Sequence, residues 1–316
     1  MPVTDDSGDV EVHLLDVGQG DSTLIVDRRS NSALLVDCPS KGVRVVRDVL
    51  RTLGDPDVVG SILTHWDIDH YGGLLEVSLA CGSQALYYNR DTILSYPIDK
   101  TVRRAALRKI AEEPFRSRIR HKPAQQGVHG VLGNFKWELL APSHLSLTDA
   151  VINSDRNLGS GVLRGEAYGV RVLIGGDADG RVWQRMIDEG EDLRAEVLRW
   201  PHHGASMHQS NGTSAAVLLE AVRPDFVIIS VGTRNRPGHP DPEMVQIASV
   251  NARLGCTEVT SHCHGSLPGK KGIECGGTLA FSLASDGSIE ARGGWQGHDE
   301  IVDGWDRPMC RQPPLS

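Results

Sequence analysis

One short stretch constrains this chain more than any other: Thr64-His65-Trp66-Asp67-Ile68-Asp69-His70, running into Tyr71-Gly72-Gly73. His65, Asp67, Asp69 and His70 all carry groups that ligate metals. Histidine nitrogens suit zinc or manganese, and carboxylates add hardness and negative charge. The stretch follows an apolar β-type run, Val58–Leu63, and precedes a helical pattern that starts at Gly73. A loop that only capped that helix would need one aspartate. Two histidines and two aspartates at this spacing go beyond it, and a fold that uses them must bring other strand ends to the same loop.

Three later clusters meet that demand. Leu173-Ile174-Gly175-Gly176-Asp177-Ala178-Asp179 ends an apolar strand in glycines and delivers Asp177 at its tip, where a carboxylate can bridge two ions. Asp179 is placed to cap the helix that follows. Trp200-Pro201-His202-His203-Gly204 again sits at a strand end. On extended backbone the two histidines point in opposite directions, so one is expected to ligate and the other to orient a phosphate or protonate a leaving group. The last cluster runs from Ser230-Val231-Gly232 through Asn235 to Gly238-His239-Pro240 and brings His239 to the end of another apolar run.

Further β-type runs are expected at Val10–Asp16, Thr23–Asp27, Ala33–Asp37, Ala85–Asn89, Phe135–Ala141 and Thr278–Leu283. Val43–Leu53 places Val43, Val46, Val49, Leu50 and Leu53 on one helical face. Other helices are expected at Thr101–Glu113, Arg181–Glu189, Ser214–Val222 and Pro242–Arg253. Early strands follow one another across turn signals, and later ones alternate with helices. That order predicts an α/β fold of two sheets flanked by helices rather than a plain doubly wound sheet. Residues 1–293 read as one domain with a basic peripheral insertion near 90–130, and residues 294–316 as a C-terminal tail without hydrophobic period.

Composition narrows the function classes. Apolar residues make up 39% and charged residues 23%, a globular balance. No apolar run approaches the roughly 20 residues that span a bilayer, and the N-terminus lacks the basic and apolar regions of a secretory signal. A cytoplasmic protein without a membrane partner is therefore expected. The net charge of −8 argues against coating nucleic acid by bulk electrostatics. It leaves room for a nuclease, because bound divalent ions reverse the local sign. Six cysteines are sparse for a disulfide scaffold. Cys256, Cys263 and Cys275, close to His262 and His264, form no tidy C-x-x-C pair and read as buried thiols before a structural zinc site.

The order of motifs carries a resemblance. Leu15-Asp16-Val17-Gly18-Gln19-Gly20-Asp21-Ser22, the His65–His70 loop, Gly176-Asp177-Ala178, His202-His203-Gly204 and the Ser230–Pro240 segment resemble the metallo-β-lactamase fold superfamily. Within it, they resemble the hydrolase domain of ComEC-type competence proteins. The resemblance implies an αββα sandwich and a centre of two ions per chain, Zn2+ or Mn2+. His65 and Asp67 would hold one ion, and Asp69, His70 and His203 the other, with Asp177 between them. Two departures stand out. Asp67 occupies the place of the superfamily motif's second histidine, which makes that site harder. The superfamily's middle histidine has no clear match: His144 is a candidate, while Asn157–Leu163 resembles the competence-type segment that carries Asn and Ser instead.

The expected function is a metal-dependent hydrolase, a phosphodiesterase or nuclease acting on DNA or RNA. Asp69 would orient the attacking water, and His202 or His239 would protonate the leaving group. Arg103, Arg104, Arg108 and Lys109 cluster on one expected helix, where they could grip a phosphate backbone or form a solvated face. A hydrolase of a small phosphodiester, lactone or thioester is the alternative within enzymes. A catalytically silent regulatory module is the alternative outside them, and the presence of Asp69, His70, Asp177 and His203 together speaks against it.

Overall fold

The computed structural model describes residues 10–90, 92, 112, 119–207, 212–235, 237–263, 272–304 and 308–311. Among these, the strands form two mixed sheets. The first contains β1 (Val10–Leu14), β2 (Thr23–Asp27), β3 (Ser32–Val36), β4 (Asp57–Ile62), β5 (Ala85–Tyr88) and β6 (Arg120–Pro123). It is completed by β14 (Leu279–Leu283) and β15 (Ile289–Gly293), in the order β15-β14-β1-β2-β3-β4-β5-β6. The second holds β7 (His129–Leu132), β8 (Phe135–Ala141), β9 (Val162–Ala167), β10 (Val170–Ile174), β11 (Val197–Arg199), β12 (Phe226–Ile229) and β13 (Arg253–Cys256), in reverse sequence order.

Both faces of the central strands are covered, and the sequence shows it. The runs Thr23–Asp27 and Ser32–Val36 are buried at every position, as expected for strands with a layer on each side. Between the sheets, Val12, Ile25, Leu34 and Phe281 of the first meet Phe135, Leu139, Leu163 and Val172 of the second. Each such side chain contributes about 1.5–3 kcal/mol on burial. On the outer face of the first sheet lie α1 (Gly42–Thr52) and α2 (Leu74–Ala80). The predicted α1 face packs as expected, with Val46 and Leu50 buried against Leu35 and Val58. The outer face of the second sheet carries α4 (Gly180–Asp188), α5 (Ala215–Val222) and α6 (Pro242–Asn251), the helix α3 (His144–Asn153) coming before them in the chain. Trp183, Leu218, Leu219 and Met244 fill that layer. The result is the expected two sheets flanked by helices.

The strand directions gather the motifs. β3 and β4 run parallel, as do β10, β11, β12 and β13, with Leu173, Leu198, Val227 and Leu254 in register. The segments that leave the C-terminal ends of β3, β4, β10, β11 and β12 therefore emerge along one edge of the sandwich.

Some segments differ from the sequence reading. Residues after Gly293 contain a helix, α7 (Trp295–Asp303), with Trp295, His298 and Val302 buried. Trp295 packs its ring against Phe226 and Phe281. Polar residues on the other face conceal this spacing. In α3, Leu147 and Ala150 are buried while Leu145 and Ile152 are exposed, so its apolar residues do not all share the buried face. Residues 120–123 and 129–132, within the segment read as an insertion, supply an edge strand to each sheet. The expected helix Thr101–Glu113 lies outside the described residues, residue 112 apart, and with it Arg103, Arg104, Arg108 and Lys109. No helix among the described residues is long and apolar enough to cross a membrane.

Candidate metal centre

The His65–His70 loop is pinned at both ends. Asp37, at the end of β3, accepts hydrogen bonds from the Thr64 amide and hydroxyl at 2.8 and 2.6 Å. The loop then closes a single helical turn, Ile68–Tyr71, with the His70 and Tyr71 amides donating to the Asp67 carbonyl at 2.9 Å. The turn between β1 and β2 lies against it, with the Asp21 amide donating to the Asp69 carbonyl at 3.1 Å. Gly20 makes this approach possible: it adopts φ +136°, and a Cβ there would stand 2.5 Å from the Asp69 carbonyl oxygen. At the end of β10, Gly176 adopts φ +51°, and a Cβ would meet Ser160 Oγ at 2.6 Å.

The side chains that converge are His65, His70, Asp177 and His203, with Asp69 and Asp67 at the mouth. His70 Nε2 lies 3.1 Å from Asp177 Oδ1. His65 Nε2 lies 3.5 Å from Asp177 Oδ2 and 3.5 Å from Asp67 Oδ2. His203 Nε2 is 3.5 Å from Asp69 Oδ2 and 3.7 Å from Asp177 Oδ1. The buried atoms His65 Nε2, His70 Nε2, His203 Nε2 and Asp177 Oδ1 make no directed hydrogen bond. Buried polar atoms are almost always satisfied, so four orphans facing one another form a donor set that fits a divalent cation. Ligand atoms of His65, His70 and Asp177, and of Asp69, His70 and His203, approach within 4.8 Å of one another.

The far sides of the rings are fixed unequally. His70 Nδ1 donates to Asp37 Oδ2 at 2.8 Å. His203 Nδ1 donates to the Ser230 carbonyl at 3.0 Å and lies 3.2 Å from Asp21, whose carboxylate meets the buried Arg199 at 2.8 Å. Partners of this kind hold a ring in the tautomer that turns Nε2 toward a metal. His65 Nδ1 has only the hydroxyls of Thr64 at 3.2 Å and Ser160 at 3.5 Å.

The charges follow. Burial opposes ionisation of Asp177, but His70, His203 and His65 outweigh it and hold the carboxyl well below its ordinary range. Burial also disfavours a charge on His203, yet Asp177 and Asp21 raise its pKa to about 10. Burial, with His70 alongside, pushes His65 down to about 4. At the rim, burial and the imidazoles of His202 and His203 push His239 down to about 4, and burial lowers His202 too.

A description of the metallo-beta-lactamase superfamily matches residues 15–232. This chain belongs to the metallo-beta-lactamase superfamily. Like other members, which typically bind divalent metals such as zinc, it gathers its metal-binding residue types at one sheet edge. It is 25% identical over 258 residues to the ComE operon protein 3 of Bacillus subtilis (strain 168), over 76% of this chain and 31% of that protein. It is 29% identical over 233 residues to the competence protein ComA of Neisseria gonorrhoeae, over 72% and 28% respectively. The chain thus spans about three tenths of the length of these curated relatives. Among solved structures it is similar to a metallo hydrolase from Ignicoccus hospitalis, with a TM-score of 0.49 and 17% identity, over 86% of this chain and 99% of that one. The expected likeness to competence proteins therefore holds.

Within this superfamily member, His65, Asp67, Asp69, His70, Asp177 and His203 all reach the centre, and His202 and His239 stand together beside it with ring centroids 5.4 Å apart. His202 and His203 are not separated by strand alternation, as their sequence had suggested. Neither lies on extended backbone: both adopt left-handed conformations, φ 50° and 53°, in a 3-10 turn. That turn, not strand alternation, buries His203 and leaves His202 half-exposed. His144 begins α3 on the exposed surface. Ser160, in the segment that resembles the competence type, accepts the Asp177 amide at 2.9 Å.

Residues that sequence reasoning missed are Asp37, Arg199 and Arg156, whose guanidinium bonds Asp67. For Asp37, the signal was an aspartate at the tip of an apolar strand, the same one that marked Asp177. Cys256, Cys263 and Cys275 join one apolar cluster with Cys310. Burial, with the neighbouring thiols of Cys263 and Cys310, pushes the Cys275 thiol up and keeps it protonated, and no group of three close ligand atoms among the described residues includes a sulphur.

Proposed function

We propose that this chain is a metal-dependent hydrolase that cleaves phosphodiesters, with nucleic acid as its substrate. The observation that carries the reading is the set of four buried ligand atoms on His65, His70, Asp177 and His203 that face one another without a directed hydrogen bond. Divalent ions held there would supply an ionised water and neutralise charge on the phosphoryl oxygens. Zn2+ and Mn2+ both suit the mixed imidazole and carboxylate donors. Asp177, between the two groups of ligands, would position both ions.

The chain's own residues divide the remaining work. Asp69 is kept ionised despite burial, because His203 and His70 favour its charge. So strongly acidic a carboxyl is a poor base, and it serves by accepting a hydrogen bond and orienting the water. His202 and His239 are neutral at pH 7 by their lowered pKa values. They act as hydrogen-bond donors to the leaving oxygen rather than as imidazolium acids. Arg103, Arg104, Arg108 and Lys109 supply the phosphate grip on this reading. Six free cysteines accord with a reducing cytoplasm.

The test is elemental analysis together with cleavage assays on single- and double-stranded DNA, RNA and a chromogenic small diester. Arg104→Ala with Arg108→Ala should weaken oligonucleotide binding and reduce the salt slope by about one per lost contact, leaving small-diester hydrolysis unchanged. Cleavage of the small diester alone moves the assignment to a small substrate. Metal without hydrolysis of any substrate removes the enzyme reading.

A further inference from the structure

The segment between α3 and β9 contributes to the centre in an unexpected way. Its 3-10 turn, Arg156–Gly159, opens with Asp155 accepting the Asn157 amide at 3.1 Å. Arg181 then bridges Asp155 to Asp179, the residue that caps α4 two positions after Asp177. This clamp holds the turn against the strand end that delivers Asp177. From the turn, Asn157 Nδ2 lies 3.4 Å from His202 Nδ1, and Arg156 bonds the Asp67 carboxylate. The Arg156 side chain is 23% exposed, and burial acts against its charge.

Asp67 therefore faces two ways. Oδ2 looks toward His65 Nε2 at 3.5 Å, while Oδ1 holds a guanidinium. Asp67 also belongs to none of the described groups whose three ligand atoms approach within 4.8 Å, whereas Asp69, His70, His203 and Asp177 all do. A fixed positive charge on a carboxylate reduces what that carboxylate offers to a divalent cation, because the two cations share one anion and repel each other.

We propose that Arg156 is a resident cation that sets the metal affinity of the His65/Asp67 half, making it the weaker of two sites and the last to load. The inference rests on the metallohydrolase reading and deepens it. The Asp69/His70/His203 half, where no arginine or lysine among the described residues pairs with Asp69, loads first. Arg156 is thus a positioning residue for occupancy rather than a group that reacts.

Calorimetric titration of chelator-treated protein with Mn2+, and separately with Zn2+, tests this without any activity assay. Wild type should take up one ion tightly and a second at least tenfold more weakly. Arg156→Met should bind the second ion at least tenfold more tightly than wild type and the first unchanged, while Arg156→Lys, which keeps the charge, should stay like wild type. Circular dichroism melts establish that each variant is folded. An Arg156→Met protein whose second ion binds no more tightly than in wild type overturns the proposal, and weaker binding would assign Arg156 to orienting Asp67 instead. If neither wild type nor variant binds any ion, the metallohydrolase reading itself fails, an outcome distinct from both.

Discussion

The two halves of the centre use similar ligands and support them differently. In one, His70 and His203 are turned by carboxylates and a carbonyl from three other segments: Asp37, Asp21 and Ser230. In the other, His65 rests on two hydroxyls and Asp67 on an arginine. The ligand loop alone does not distinguish them, since His65-Trp66-Asp67 and Asp69-His70 read alike as donors. What differs is the electrostatic sign behind the donors. Anionic support strengthens an imidazole as a ligand, and cationic support weakens a carboxylate. The arrangement teaches that a contiguous motif identifies a centre, while residues far away in sequence rank its sites.

The sharpest way to break this ranking is to remove one ligand from each half. His70→Ala should abolish tight metal binding and lower hydrolysis by about three orders of magnitude, roughly 4 kcal/mol of transition-state stabilisation. Asp67→Ala should lower the rate by only about tenfold and leave the first ion bound. Metal content by elemental analysis and kcat/KM on a working substrate measure both. Equal losses from the two substitutions would make the halves equivalent.

Next comes the support beneath His203. Arg199 is buried, pairs with Asp21 at 2.8 Å, and donates to Thr23 Oγ1 and Ser230 Oγ at 2.6 Å each. Arg199→Met leaves the buried Asp21 carboxylate without its main counter-charge. Stability should fall by about 3–5 kcal/mol, read as a shift in urea midpoint, and affinity for the first ion should fall with it. A loss confined to the second ion would place Arg199 behind the wrong half.

A smaller effect is expected from Asp37→Asn. The amide has a single acceptor oxygen, so it cannot serve the Thr64 amide on one side and the Thr64 hydroxyl and His70 Nδ1 on the other as the carboxylate does. Affinity for the first ion should drop about 10–100-fold. Ser160→Ala, beneath the other half, should change the affinity for either ion less than Asp37→Asn changes the first.

How much of this was legible in the sequence depends on distance along the chain. The layers were legible because apolar runs such as Thr23–Asp27 and Phe135–Ala141 coincide with strands. The ligands were legible because four sit in one loop and the others follow apolar strands beside glycine or proline. Asp37 carried the same strand-end signal but closes an expected strand with no cluster of other ligand types around it. Arg199 lies within a strand, where alternation predicts burial but names no partner. Arg156 carries no signal of its own in the sequence, and only folding brings it to Asp67, 89 positions away. The α7 helix was hidden because its buried residues are a tryptophan, a histidine and a valine.

The finest test concerns what the better-supported half costs. The loop that presents Asp21 to His203 also carries Asp16, whose carboxyl accepts the Gly18 amide at 3.1 Å. Burial, with Glu258 and Glu274 nearby, outweighs that bond and raises the Asp16 pKa to about 6. In the unfolded chain it titrates near 4. Between these values the folded protein holds the proton that the unfolded chain has released, so folding is favoured at low pH. Stability from this group is fully present below about pH 4 and is lost as pH rises through 6. At neutral pH the ionised Asp16 therefore destabilises the fold, by up to about 3 kcal/mol for a two-unit shift. Asp16→Asn keeps an oxygen for the Gly18 amide and removes the charge. In chelator, the variant should match wild type at pH 4 and exceed it in urea midpoint at pH 7. The loop beneath His65 and Asp67 offers a contrast, because its Asp155 is neutralised by Arg181, and Asp155→Asn should give no such gain. If Asp16→Asn shows no advantage at pH 7, the anionic support of His203 carries no stability cost, and the two halves differ in metal affinity alone.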